Sequence, residues 1–176
     1  PGSLVRRPFT REEFAQAPGR PTLAVNGIFN NEGQAARTMY QNTLPINDAG
    51  AKTDPVYLVH IAPANNVLSE MFGVVYEWLT IKGEGRVGAA LGFTAAQNSV
   101  AELIASRGQQ PIHAEGHSRG TLVQAGAFYI HANPTDGTAP YMNPNLTVRG
   151  AGGAANAEVY TRMAAKVLGP GARTDA

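Results

Sequence analysis

Gly116, His117, Ser118, Arg119 and Gly120 form G-x-S-x-G between a short apolar run and an amphipathic stretch with helical spacing. This is the pattern of a nucleophile elbow, a serine on a sharp strand-to-helix turn whose backbone is strained. Gly116 and Gly120 flank it because the turn and the neighbouring chain come too close for a Cβ. A serine hydroxyl attacks poorly until a base takes its proton, and the intermediate it forms is costly until N–H groups hold the oxyanion. The turn would supply one such donor at the start of the following helix, the backbone N–H of Arg119. A second is expected from the glycine-containing turn after the first strand, at Gly27, Ile28 or Phe29. Asn26-Gly27 reads equally well as a plain turn.

The base is harder to find among the four histidines. His117 precedes the serine, so alternation puts its side chain on the opposite side, where packing is the expected role. His113 lies inside the strand, a place for a satisfied core histidine. His131 comes 13 residues after Ser118, which a helix turns into roughly 20 Å, out of reach. His60 ends the second apolar strand on the same edge as the elbow and is the candidate base. Its competing role is to fix the turn at Pro63, Asn65 and Asn66. No carboxylate is well placed: Asp54 is at the wrong end of that strand, Asp136 is in a loop, Asp175 is at the terminus, and Glu115 reads as structural.

The elements that must position these groups alternate. Residues 1–20 form a polar, proline-punctuated lead-in with one short helix near 10–17. The remainder, 21–176, reads as a single α/β domain. Strands are expected at 22–25, 55–61, 111–115 and 146–149. Helices are expected at 31–42, over the apolar spacing of 67–78, from a capping box at Thr94 and Gln97 through 106 with closure at Gly108, from the elbow to 131, and at 155–168. The fold class is therefore α/β, a mostly parallel sheet of about four strands flanked by helices. Ligands of such sheets bind beyond the carboxyl ends of the strands, where Ser118 stands. Gly83, Gly85 and Gly88 match G-x-G-x-x-G without a strand before them, so a nucleotide site is not inferred. That loop is better suited to covering a pocket.

Composition bounds the rest. The chain has 176 residues, is 43% hydrophobic and 15% charged, and carries a net charge of +1, which describes a packed domain with no electrostatic case for nucleic acid. Twenty Gly and 12 Pro fit many short loops. The absence of cysteine excludes a disulfide framework, a thiol nucleophile and thiolate metal sites. No metal spacing or cofactor motif is present, and no apolar run reaches the ~18 residues of a membrane span. The chain opens Pro1-Gly2-Ser3 without Met, and we read it as part of a longer polypeptide.

Three segments, LAVNGIFNNEGQAARTMYQN at 23–42, YLVHIAPANNVLSE at 57–70 and GHSRGTL at 116–122, together resemble the C-terminal regions of filamentous-haemagglutinin-type exoproteins. These include contact-dependent growth inhibition effectors of Gram-negative bacteria. The resemblance implies a secreted toxin domain displayed at the cell surface, delivered into a target cell and neutralised by a cognate immunity protein. The elbow also resembles those of lipases and esterases of the α/β-hydrolase fold. This implies a partial hydrolase core, Ser118 as nucleophile, the Arg119 and Ile28 amides as oxyanion donors, and a small-molecule or lipid ester as substrate. In that family the acid and the histidine follow the serine on later strands, and the matching segments are not found before residue 176. Two other readings stay open: a non-catalytic binding domain that keeps the elbow as structure, and a nuclease toxin with Arg37, Arg107 and Arg119 as phosphate contacts.

Overall fold

A computed structural model describes residues 8–25, 55–59, 93–151 and 157–168. The expected helices at 31–42 and 67–78, the glycine loop at 83–92, and Gly27, Ile28, Phe29, Arg37, Asp54 and His60 lie outside the described residues.

The sheet is built from four parallel strands, β1 (Thr22–Val25), β2 (Val56–Val59), β3 (Ile112–His117) and β4 (Leu146–Ala151), in the order β2-β1-β3-β4. The α/β fold with an all-parallel sheet is thus present. The order reverses direction between β1 and β3, and in open parallel sheets the crevice at such a switch point, outside the carboxyl ends, is where ligands bind. Both β3 and β4 run two residues beyond their expected ends. Gly116 and His117 have little strand propensity, but they pair in register with Gly150 and Ala151. The ladder therefore carries the strand into the G-x-S-x-G motif itself.

Of the six expected helices the described residues contain four, α1 (Arg11–Ala15), α2 (Phe93–Ser106), α3 (Arg119–Ala132) and α4 (Ala157–Leu168). Thr10 caps α1 by accepting from the Glu13 N–H at 3.1 Å. Helix α2 opens at Phe93, so Thr94 lies inside its first turn and not at the cap. It closes as expected on Gly108, whose φ of +57° is a left-handed conformation that glycine adopts without a Cβ clash.

Period-2 alternation gives the sheet two unlike faces. Leu23, Val25, Ile112, Ala114, Leu146 and Val148 share a core with residues of α2, α3 and α4. Helix α3 packs on β3 and β1 between α2 and α4, α4 packs on β4, and α1 lies on α2. Phe14 of α1 is fully buried and meets Tyr57 edge-on at 5.0 Å between ring centroids, with Phe9 against both. Each such buried Leu, Ile, Val or Phe contributes about 1.5–3 kcal/mol. A few of them outweigh the ~1–3 kcal/mol that one strained residue costs. The opposite face of β3 carries His113, Glu115 and His117, beside Thr147 and Arg149 of β4.

Candidate active site

Ser118 is the N-cap of α3, with φ 51° and ψ −121°. Among the described residues it is the only non-glycine with positive φ. An L-residue in this region is held against its own sterics by its surroundings, and such strain gathers at functional turns. Three contacts hold it. The Ser118 N–H donates to the Ala151 carbonyl at 2.8 Å, extending the β3–β4 ladder by one step, and the Ser118 carbonyl accepts from the Thr121 N–H at 2.9 Å. The Thr121 hydroxyl donates to that same carbonyl at 2.7 Å. The Ser118 side chain makes no capping bond to α3, and the residue is half-buried. Its hydroxyl is therefore not spent on the helix, as an N-cap serine's normally is.

The glycines behave as the motif demands. A Cβ on Gly116 would meet the Gln124 Oε1 atom within contact distance and the Gly120 C and O atoms at 3.1 Å. Helix α3 thus rests directly on the end of β3. Gln124 is completely buried, and its Oε1 accepts from the Tyr160 hydroxyl of α4 at 2.9 Å. Burial raises the Tyr160 phenol, with the charge of Glu115 adding to the shift, so the hydroxyl stays a donor. Gln124 Nε2 finds no partner among the described residues. Sequence reasoning passed over Thr121, Gln124 and Tyr160. The only available signal was their spacing: Thr121 and Gln124 fall three and six residues after Ser118, on one helical face.

The other candidates are dispersed. Arg119 follows Ser118 and opens α3, which places its N–H at the helix N-terminus, while its side chain is only 2% exposed. His117 is half-buried on the face of β3 away from α3. His113 is engaged at both ring nitrogens, Nδ1 with Thr147 Oγ1 at 2.8 Å and Nε2 with Glu115 Oε2 at 3.2 Å. Glu115 is buried and also faces Arg149 at 3.7 Å. This is the one histidine–carboxylate pair among the described residues, and it belongs to the sheet face, its histidine five strand residues or about 16 Å before Ser118 and its carboxylate three residues or about 10 Å. His131 sits at the far end of α3, its ring tilted against that of Tyr141 with centroids 4.7 Å apart. Asp136 is in an exposed loop, where bonds from Thr138 hold its carboxyl below the usual range.

His60 lies outside the described residues, but the strand before it is placed. Val25 pairs with both Val59 and Gly116, so the end of β2 stands level with the elbow, two strand spacings or about 10 Å away. A base leaving β2 there reaches Ser118 only if its turn carries it across β1. Among the described residues no cluster of His, Asp and Glu is arranged to hold a metal ion.

Arg107 is not a phosphate contact. It is buried, and its guanidinium donates to the carbonyls of Phe14, Ala15, Ala17, Gly19 and Pro111 at 2.7–3.3 Å. With Arg119 buried as well, two of the three arginines considered for a nuclease are inside the protein. The chain matches no protein-family model, no curated protein and no solved structure.

Proposed function

We propose that this domain is a serine hydrolase acting on esters, lipid esters foremost, with Ser118 as nucleophile. The observation that carries the reading is the backbone of Ser118: a strained, left-handed serine at the carboxyl end of a parallel strand, at the sheet's switch point, with its hydroxyl not used as a cap. Packing sets that backbone, but the hydroxyl it carries is not used to cap the helix, and strained positions of this kind gather at functional sites.

In this reading a base takes the Ser118 proton as Oγ attacks the ester carbonyl carbon. The oxyanion is received by the Arg119 N–H and by an N–H of the turn at Gly27 or Ile28. The alcohol leaves with the proton, and water then cleaves the acyl-serine to release the acid and restore Ser118. His60 is the candidate base. No cofactor or metal is called for.

The biological setting rests on the resemblance of residues 23–42, 57–70 and 116–122 to contact-dependent growth inhibition effectors. On that basis the domain is a secreted antibacterial toxin held in check by an immunity protein in the producing cell. Among the described residues no helix is long and apolar enough to cross a membrane.

The test is labelling with a fluorophosphonate, followed by peptide mapping. Modification at Ser118 that disappears in Ser118→Ala, with loss of toxicity on expression inside a susceptible cell, is the expected result. Labelling that survives Ser118→Ala, or a folded domain that takes no label, sinks the reading. The non-catalytic alternative draws on one observation, that the histidine of the described histidine–carboxylate pair is engaged at both ring nitrogens, with Thr147 and Glu115; toxicity unchanged in Ser118→Ala would favour it.

A further inference from the structure

We propose that Thr121 is a positioning residue for the oxyanion site, a reading that rests on Ser118 being the nucleophile. The Ser118 carbonyl and the Arg119 N–H belong to one peptide unit, which is planar and trans, so the two bonds point in opposite directions. Whatever fixes the carbonyl therefore aims the N–H. Thr121 fixes it twice, with its own N–H at 2.9 Å and its hydroxyl at 2.7 Å. Any residue at this place in the helix would make the first bond. Only a hydroxyl-bearing side chain makes the second, and 2.7 Å is the optimum for an O–H···O bond.

Thr121 is itself held. It is 1% exposed, and its Cγ2 lies 3.5 Å from where a Cβ on Gly150 would be. The methyl thus packs on β4 while the hydroxyl turns to the elbow, which sets the rotamer. An oxyanion donor is useful only if it is already aimed when charge develops, since reorienting it would cost part of what it stabilises. The Thr121 hydroxyl supplies that aim from outside the reacting atoms. Removing it leaves the Ser118 carbonyl still bonded to the Thr121 N–H, so that acceptor keeps a partner.

The experiment compares Thr121→Val, which keeps the branched shape and loses the hydroxyl, with Thr121→Ser, which keeps the hydroxyl. The second-order rate of fluorophosphonate labelling is measured well below each variant's unfolding temperature. Loss of a complete oxyanion donor costs on the order of 10²–10³-fold, whereas one neutral hydrogen bond is worth about 2- to 13-fold. Thr121→Val is expected to slow labelling within that second range, and Thr121→Ser to stay within about twofold of the parent. A merely structural role would lower the unfolding temperature and leave the labelling rate unchanged. Thr121→Val labelling at the parent rate, or Thr121→Ser as slow as Thr121→Val, overturns the proposal. Amide hydrogen exchange at Arg119 and Thr121 separates the two ideas. If the parent takes no label the hydrolase reading fails, and the clamp stands only if Thr121→Val, and not Thr121→Ser, accelerates exchange there.

Discussion

Replacing Ser118 by glycine and by alanine separates the hydroxyl from the backbone that carries it. Both variants lose Oγ, which makes no cap bond in α3. Both keep the main-chain bonds of residue 118 to the Ala151 carbonyl and from the Thr121 N–H, at 2.8 and 2.9 Å. They differ in what φ 51° and ψ −121° cost. An L-residue held there loses about 1–3 kcal/mol, and glycine almost none. Glycine returns roughly 0.4–1 kcal/mol through the greater freedom of the unfolded chain. The balance leaves Ser118→Gly more stable than Ser118→Ala by about 1 kcal/mol, and by at most ~2.5. In a domain of this size that is about 2–4 °C in Tm for each kcal/mol. Urea unfolding with a common m-value measures it directly. A glycine variant no more stable than the alanine variant would refute the claim that this turn stores strain.

Arg107→Met should cost about 3 kcal/mol, because five main-chain carbonyls lose a charged donor and the lead-in carrying α1 loses its tie to the core; Arg107→Lys should recover little, since one ammonium cannot reach five acceptors. Urea midpoints check both, and a loss under 1 kcal/mol for Met would show the cage to be incidental. His131 predicts acid sensitivity. Burial lowers its pKa, against a bond to the Ala101 carbonyl that raises it, and its Nε2 has no partner among the described residues. The folded state then binds its proton less readily than the unfolded chain, so stability is full above the unfolded pKa near 6.5 and falls as pH drops through that value toward the folded pKa. His131→Leu should flatten the Tm profile between pH 7 and 5 relative to the parent; an unchanged difference between the two across that range would refute the assignment.

The parts of this fold that could be read from the sequence are those fixed by local demands. Thr22–Val25 runs Leu-Ala-Val after its first residue because the strand is buried along its whole length, and Gly108 ends α2 because only glycine is at ease at its φ. G-x-S-x-G was legible because a strained serine flanked by close-packed glycines is a backbone requirement written in residue types. What escaped was set by partners distant in the chain. The last two residues of β3 are strand because of Gly150 and Ala151, not because of their own propensity. Arg107 looked like a phosphate ligand because its type was visible while its five acceptors, four of them 88 to 93 residues earlier, were not. Thr121 was passed over as an ordinary helix residue because its role depends on which way one carbonyl points.

The same tertiary logic explains why the serine stands where it does. On the α3 side of β3 the side chains run Ile112, Ala114, Gly116, and on β4 they run Leu146, Val148, Gly150. Both series shrink toward the carboxyl ends. A helix laid on such a surface is held off by the large residues and approaches where they vanish, so its N-terminus comes down onto the sheet. The contacts at that end are correspondingly tight: Gly120 main chain and Gln124 lie against Gly116, and the Tyr160 ring stands 3.3 Å from where a Cβ on Gly150 would be. With the helix start pressed onto the strand end, a single residue must join the two, and no relaxed conformation spans so short a turn. The positive φ of Ser118 is therefore a consequence of the size gradient beneath it. The taper on two strands, more than the five-residue motif, is what forces a serine into the conformation that leaves its hydroxyl unclaimed by the helix.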